Sequence, residues 1–301
     1  MRVVVAGATG VVGRPIVREL VSNGHEVTGL VREQADGEVL KQLGAATLVA
    51  DALDAESVDS AIAKARPEVV IDQLTALPRH YTPEAMRSAL ELTKKLRISG
   101  GGNVQQAAER HGAARYVAQS GCYYYQPGPG LADESTEFAD PAPELVAGGI
   151  DAFKQVEHRV LSSSTLTGVV LRYGFFYGPG TWYWPDGDVA DSVRKRQVPI
   201  IGDGAGVYSF VHVDDAAAAT AAIATSQLGG VFNVTDDEPT PVAQWLPAFA
   251  EWVHAPTPPA VAVEGADPGS SFYNTKLRGA TNSKFKAAFD WSPRPLPWLN
   301  D

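Results

Sequence analysis

The chain opens on Val3-Val4-Val5-Ala6, an unbroken apolar run of the kind a strand shows when helices cover both its faces. A glycine-rich turn follows, then a helical pattern from Pro15 to Asn23, with proline in its first turn and Gly24 just past its end. The alternation continues. His25 to Val31 predicts a second strand, Glu38 to Leu43 a helix closed by Gly44, and Ala46 to Ala50 a third strand. Ala55 to Ala65 predicts a helix and Val69 to Leu74 a fourth strand; Asn103 to Arg110 predicts a helix and Arg115 to Gln119 a fifth strand. Strands and helices in strict alternation predict an α/β fold of Rossmann type, a doubly wound parallel sheet with helices on both faces.

Past Gly121 the texture changes. Tyr123-Tyr124-Tyr125 and the proline-rich stretch from Pro127 to Pro143 predict an irregular loop. A helix from about Asp151 to Ser162 and a buried strand from Gly168 to Arg172 then return to the sheet. The remainder is rich in Trp, Pro and Gly. We therefore expect a dinucleotide-binding domain over 1–173 and a smaller C-terminal substrate lobe over 174–301, sharing one core with some chain crossing back. No fixed-period repeat is present.

Composition narrows the function. The chain has 301 residues, 45 % of them apolar, enough for a sizeable core. Its formal net charge of −10 argues against a nucleic-acid partner. The apolar opening run is too short for a signal-peptide core, and no stretch approaches a membrane span, so a cytoplasmic protein is expected. A lone cysteine, Cys122, excludes an intrachain disulfide, and the six histidines are scattered without metal-ligand spacing.

Gly7-Ala8-Thr9-Gly10-Val11-Val12-Gly13 places a glycine at every third position between a strand and a helix. Gly7 permits the sharp turn, Gly10 the approach of a pyrophosphate, and Gly13 close packing of the helix, whose positive end then faces the phosphates. The second strand ends at Arg32, and Arg14 follows the third glycine; both favour the 2′-phosphate of NADP, whereas Glu33 keeps NAD open.

These residues resemble the short-chain dehydrogenase/reductase superfamily in its extended and atypical branches, the NAD-dependent epimerase/dehydratase group. The likeness covers almost the whole chain, and later segments such as Arg172 to Gly180, Ile200 to Gly204 and Phe210 to Asp215 carry it too. It implies that Asp51 contacts adenine and that Leu74 and Thr75 line the nicotinamide side. It also implies hydride chemistry assisted by a serine, here Ser120, and by a tyrosine and a lysine four residues apart on one helix face. Lys154 is the nearest lysine, as catalytic group and cofactor contact, but Ile150 stands four residues before it. Anchoring instead on Glu157, which resembles a glutamate after the family's lysine, makes the pair Gly149 and Phe153. Neither register supplies the tyrosine. A substitute proton donor is then expected among the loop tyrosines, Tyr124 or Tyr125.

Tyr123, Tyr177, Trp182 and Trp184 are expected to wall a substrate pocket, with a second-lobe core as the competing reading. Arg194, Lys195 and Arg196 are either a diphosphate contact or a solvated helix face. Asp214 is expected to cap the helix Ala216 to Ala224. The expected activity is an NAD(P)-dependent oxidoreductase or epimerase/dehydratase acting on a carbonyl or hydroxyl of a small molecule. A non-catalytic NADP-binding redox sensor and a non-redox cyclase or isomerase stay open, as does a homodimer.

Overall fold

The computed structural model describes residues 1–78, 80 and 83–299. Strands β1 (Arg2–Ala6), β2 (Glu26–Val31), β3 (Ala46–Val49), β4 (Val69–Asp72), β5 (Arg115–Gly121) and β6 (Thr167–Tyr173) join the later strand Gly230–Val234 in one seven-stranded sheet. From one edge the order is Gly230–Val234, β6, β5, β4, β1, β2, β3, and every pairing is parallel. Strand order reverses between β1 and β4. Doubly wound sheets open a ligand crevice at that switch point, beyond the carboxyl ends of their strands.

Side-chain alternation along β1 sorts the two layers. Val3 and Val5 face α1 (Gly13–Ser22), packing with Ile16, Val17 and Leu20. Val4 and Ala6 face the other side, packing with Val58 and Ile62 of α3 (Ala55–Ala65) and with Tyr116 of β5. A short helix α2 (Glu38–Gln42) links β2 to β3. Beyond the sheet's carboxyl edge a separate aromatic core gathers Phe138, Phe153, Tyr208, Phe210, Trp245, Phe249 and Trp298.

The structure revises three expected helices. Helix α4 (Pro83–Lys95) runs through a π-helical turn, Leu96–Gly100, into α5 (Gly101–Arg110), so Asn103 lies inside a long helix instead of starting one. Gly100, Gly101 and Gly102 look like a break, but Gly101 is there for closeness: a Cβ on it would stand 2.5 Å from the Asp72 carboxylate. Helix α6 (Glu144–Leu161) begins seven residues before the expected start and carries Gly148 and Gly149 in its interior. After α7 (Asp188–Arg194), helix α8 (Val213–Ala224) is capped by His212, whose imidazole accepts from the Asp214 amide at 3.1 Å, and not by Asp214.

Candidate active site

The glycine turn has the geometry its spacing predicts. Gly7 adopts φ +77°, and a Cβ there would lie 2.5 Å from the Gln73 carbonyl. A Cβ on Gly13 would collide with the Gly7 carbonyl. No side chain caps α1 at Val12, and in its first turn the Arg14 amide donates to the Gly10 carbonyl and the Ile16 amide to the Val12 carbonyl, each at 3.1 Å. Arg14 and Arg32 are both exposed on this side. Asp51, also exposed, accepts from the Leu53 amide at 2.9 Å, and the Leu74 amide donates to Asp72 at 3.0 Å, ordering the loop that continues through Thr75. Gln73, at the end of β4, leaves its buried Oε1 without a partner. A cradle that side chains would fill and an orphaned polar atom beside it both fit a dinucleotide.

At the end of β5, Ser120 is buried and donates to Glu157 of α6 at 2.7 Å. Arg172 of β6 clasps the same carboxylate, Nη2 to Oε2 at 2.6 Å and Nε to Oε1 at 2.8 Å. Its Nη1 donates to the Tyr125 hydroxyl at 3.0 Å, and that hydroxyl donates to Asn233 at 2.6 Å. The guanidinium also lies 4.6 Å from the Phe138 ring centroid. This chain of bonds ties β5, β6, α6 and the edge strand together. Both hydroxyls expected to face a substrate, those of Ser120 and Tyr125, are buried and hydrogen-bonded within this network.

Glu157 fixes which face of α6 lies under the end of β5. Residues 149, 153 and 157 lie on one helical face, and the bond from Glu157 to Ser120 sets that face under the end of β5. Gly149 and Phe153 therefore occupy it, while Lys154 is exposed on a neighbouring face of the helix. Where residue 149 has no side chain, the Tyr124 ring moves in: a Cβ on Gly149 would be 2.9 Å from its Cε2. The Tyr124 hydroxyl lies 2.9 Å from that of Tyr273. Gly121 repeats the device, since its Cβ would stand 2.6 Å from the folded-back Tyr123 ring. Tyr123 stacks on Phe175 at 4.8 Å and meets the edge of Tyr124 at 4.7 Å. The Phe153 ring is 5.9 Å from Tyr123 and 5.8 Å from Tyr124.

A cation completes the cluster. Arg97, on the π turn, sets its guanidinium carbon 4.5 Å from the centroid of Phe153. The freed carbonyls of Arg97 and Ile98 accept from Arg159 at 3.2 and 3.0 Å, which holds the turn in place. Burial pushes the Tyr124 phenol up from its ordinary range, with the Tyr273 hydroxyl and the Arg97 charge opposing. Burial likewise raises Tyr123, against the Arg97 charge. Cys122 is buried and its thiol strongly raised by the same desolvation, so it is no nucleophile.

Other expected residues lie elsewhere. Tyr177 is buried in the second aromatic core, 5.0 Å from His212 and 5.2 Å from Trp298, so it does not line a substrate pocket. Trp182 donates to the Pro78 carbonyl at 3.2 Å, and Trp184 packs on Trp252 of α9 (Val242–Trp252) at 5.4 Å. The ring from that segment that reaches the Tyr123 cluster is Tyr183, 6.1 Å from Phe175. Of the Arg194, Lys195 and Arg196 cluster, Arg194 donates to Asp191, Val253 and Pro185, a use within the structure. A cavity of about 530 Å³ near Asp237, Asn282 and Lys286 contains none of the expected residues. Among the described residues no group of side chains could hold a metal ion, and no helix is long and apolar enough to cross a membrane.

The sequence reading missed Arg97 and Tyr273. Arg97 was hidden by the glycines after it; Tyr273 comes from a distant helix, and nothing near it in the chain marks it.

Comparison with known proteins agrees with this architecture. The model of the NAD dependent epimerase/dehydratase family matches residues 3–235. The chain is 42 % identical over 306 residues to a 3-diazoavenalumate denitrifying reductase of Streptomyces sp., covering 99 % of this chain and 98 % of that protein. It is 24 % identical to a 2-alkyl-3-oxoalkanoate reductase of Stenotrophomonas maltophilia (strain K279a), over 85 % of this chain and 77 % of the other. Among solved structures it superposes on the UDP-glucose 4-epimerase of Thermus thermophilus in complex with NAD, with a TM-score of 0.73, 24 % identity and coverage of 99 % and 96 %.

Proposed function

Because the chain belongs to the NAD-dependent epimerase/dehydratase family, we propose that this NAD(P)-dependent enzyme is a reductase that uses NADPH to remove a diazo group from a flat aromatic acid. The observation that carries the reading is the acid-free face of α6. We read Gly149 and Phe153, on the face of α6 that Glu157 sets under the end of β5, as the counterparts of the family's proton-shuttling pair, and the ring in the Gly149 slot is a half-buried phenol with a raised pKa.

A carbonyl reduced to an alcohol must take up a proton at oxygen, so that face would be a poor place for it. When bound, the reduced nicotinamide supplies a hydride, and an aryl diazonium that accepts it gives the arene, dinitrogen and oxidised cofactor with no proton required. Under this reading the chain's residues bind and orient. The glycine turn at 7, 10 and 13 and the positive end of α1 hold the pyrophosphate, while the exposed Arg14 and Arg32 take the 2′-phosphate. Tyr123 and Tyr124, backed by Phe175 and Phe153, present an aromatic wall to a planar ring. The diazo group and the acid are suggested by the name of the relative that is 42 % identical over the whole chain. We place the enzyme in the cytoplasm, where reduced nicotinamide is made.

The test is anaerobic incubation of the enzyme and NADPH with an ortho-diazo phenolic acid. Oxidation of NADPH matched one to one by release of dinitrogen is expected. Turnover of 3-oxo acids or aldehydes with no turnover of diazo acids overturns the reading.

A second reading has one observation of its own. The Tyr124 ring lies where a side chain on the α6 face would begin, so the loop phenol could serve a carbonyl substrate as its acid. Replacing Tyr124 by Phe separates the two.

A further inference from the structure

Arg97 is a cation in an apolar, aromatic setting. It is half-buried and stacked on Phe153, and its Nε is buried without an acceptor. Among the described residues it makes no ion pair, unlike Arg159 and Arg172, whose guanidinium groups meet Asp72 and Glu157. Its charge acts on the Tyr123 and Tyr124 phenols and on the Asp72 carboxyl. Leaving a guanidinium donor dry and unpaired is costly, and a native structure that does so calls for an explanation, of which a ligand that completes the group is one.

The surroundings restrict that ligand. The groups around the guanidinium are aromatic faces, Phe153 directly beneath it and Tyr123 and Tyr124 beside it. A π-helical turn presents it, and Arg159 braces that turn by taking two of its carbonyls. π-bulges of this kind concentrate at functional sites because they aim a side chain that a regular helix would direct elsewhere. The guanidinium fork matches a carboxylate or a phenolate, and the rings match a flat hydrocarbon.

We propose that Arg97, with the Tyr123 hydroxyl, is the receptor for an anionic oxygen on a planar aromatic substrate, and so selects aryl acids over neutral aryl compounds. This rests on the proposed reductase reading for the site's location, since the same rings wall it. It goes further in naming the group that fixes the substrate's orientation. Arg97 is a specificity residue and takes no part in bond making.

The experiment measures binding without turnover. Calorimetry of wild-type protein with oxidised cofactor is run against cinnamate (a carboxylate), 4-nitrophenolate (a phenolate) and cinnamide (neutral). Wild type is expected to bind at least one of the two anions at least tenfold more tightly than cinnamide. Arg97→Met is expected to lose at least tenfold for that anion and little for cinnamide, while Arg97→Lys recovers part of the loss. The two anions distinguish carboxylate from phenolate recognition. Equal affinity of wild type for anions and amide, or equal losses for all three ligands in Arg97→Met, overturns the proposal. If Arg97→Met does not fold, judged by its melting curve, the anion-to-amide ratio in wild type and in Arg97→Lys decides. Absence of diazo turnover with this binding pattern intact would overturn the reductase reading alone.

Discussion

The Tyr124 ring fills the space that a side chain on Gly149 would need, with a Cβ there only 2.9 Å from the ring. A loop ring thus occupies the place of a helix side chain at the head of the sheet. The replacement holds only while position 149 stays bare. Gly149→Ala should raise helix propensity by about 1 kcal/mol and yet push the ring aside. A melting temperature equal to or above wild type, with turnover lowered about tenfold or more, is expected from thermal melts and steady-state kinetics.

Tyr124→Phe tests whether the phenol is an acid. It removes one hydroxyl–hydroxyl bond to Tyr273, worth about 1 kcal/mol of stability. With a diazo acid the rate should stay within about threefold of wild type, because hydride displacement of dinitrogen needs no proton. A loss on the order of 100-fold, the scale of general acid catalysis, would favour carbonyl chemistry with Tyr124 as donor.

Ser120 is expected to act on stability before catalysis. Its hydroxyl, Glu157 and Arg172 form one buried array. Ser120→Ala should cost about 1–2 kcal/mol, whereas Arg172→Met strands the Glu157 carboxylate and should cost about 3–5 kcal/mol. Denaturant melts give the order. Full stability of Ser120→Ala with loss of turnover would return this serine to the substrate.

Cofactor choice is predicted to sit on two exposed arginines. Replacing Arg14 and Arg32 together by Ser should weaken NADPH by about tenfold or more while leaving NADH nearly unchanged, since only the former carries a 2′-phosphate. The ratio of KM values measures it. An equal effect on both cofactors would exclude 2′-phosphate recognition by these residues.

Stability should fall as pH rises through neutrality. Asp236 is buried, and burial pushes its carboxyl up to about 7, opposed by the amides of Glu238 and Phe210. Asp72 is raised by burial as well, against the Arg159 charge. A folded-state pKa above the unfolded value means the folded chain binds the extra proton. The contribution of Asp236 is complete below the unfolded carboxyl range and is lost as pH climbs toward about 7. Wild-type melting temperature is expected to drop between pH 5 and pH 8, and Asp236→Asn to flatten that slope. Matching slopes in the two proteins would place the titration elsewhere.

The sequence by itself determined the sheet and the glycine turn. Those features are local: a β-branched run covered on both faces, and glycines at fixed spacing. It could not place the hydroxyls of Ser120, Tyr124 and Tyr125, because strand alternation and a loop's path decide whether a ring faces a pocket or a buried carboxylate. Nor could it find Arg97. Three glycines concealed a continuous helix, and their reason, the Asp72 carboxylate beside Gly101, is a tertiary contact. The glycine slots at positions 121 and 149 have the same origin: an empty side chain in the sequence becomes informative only when the fold shows which ring has moved into its place.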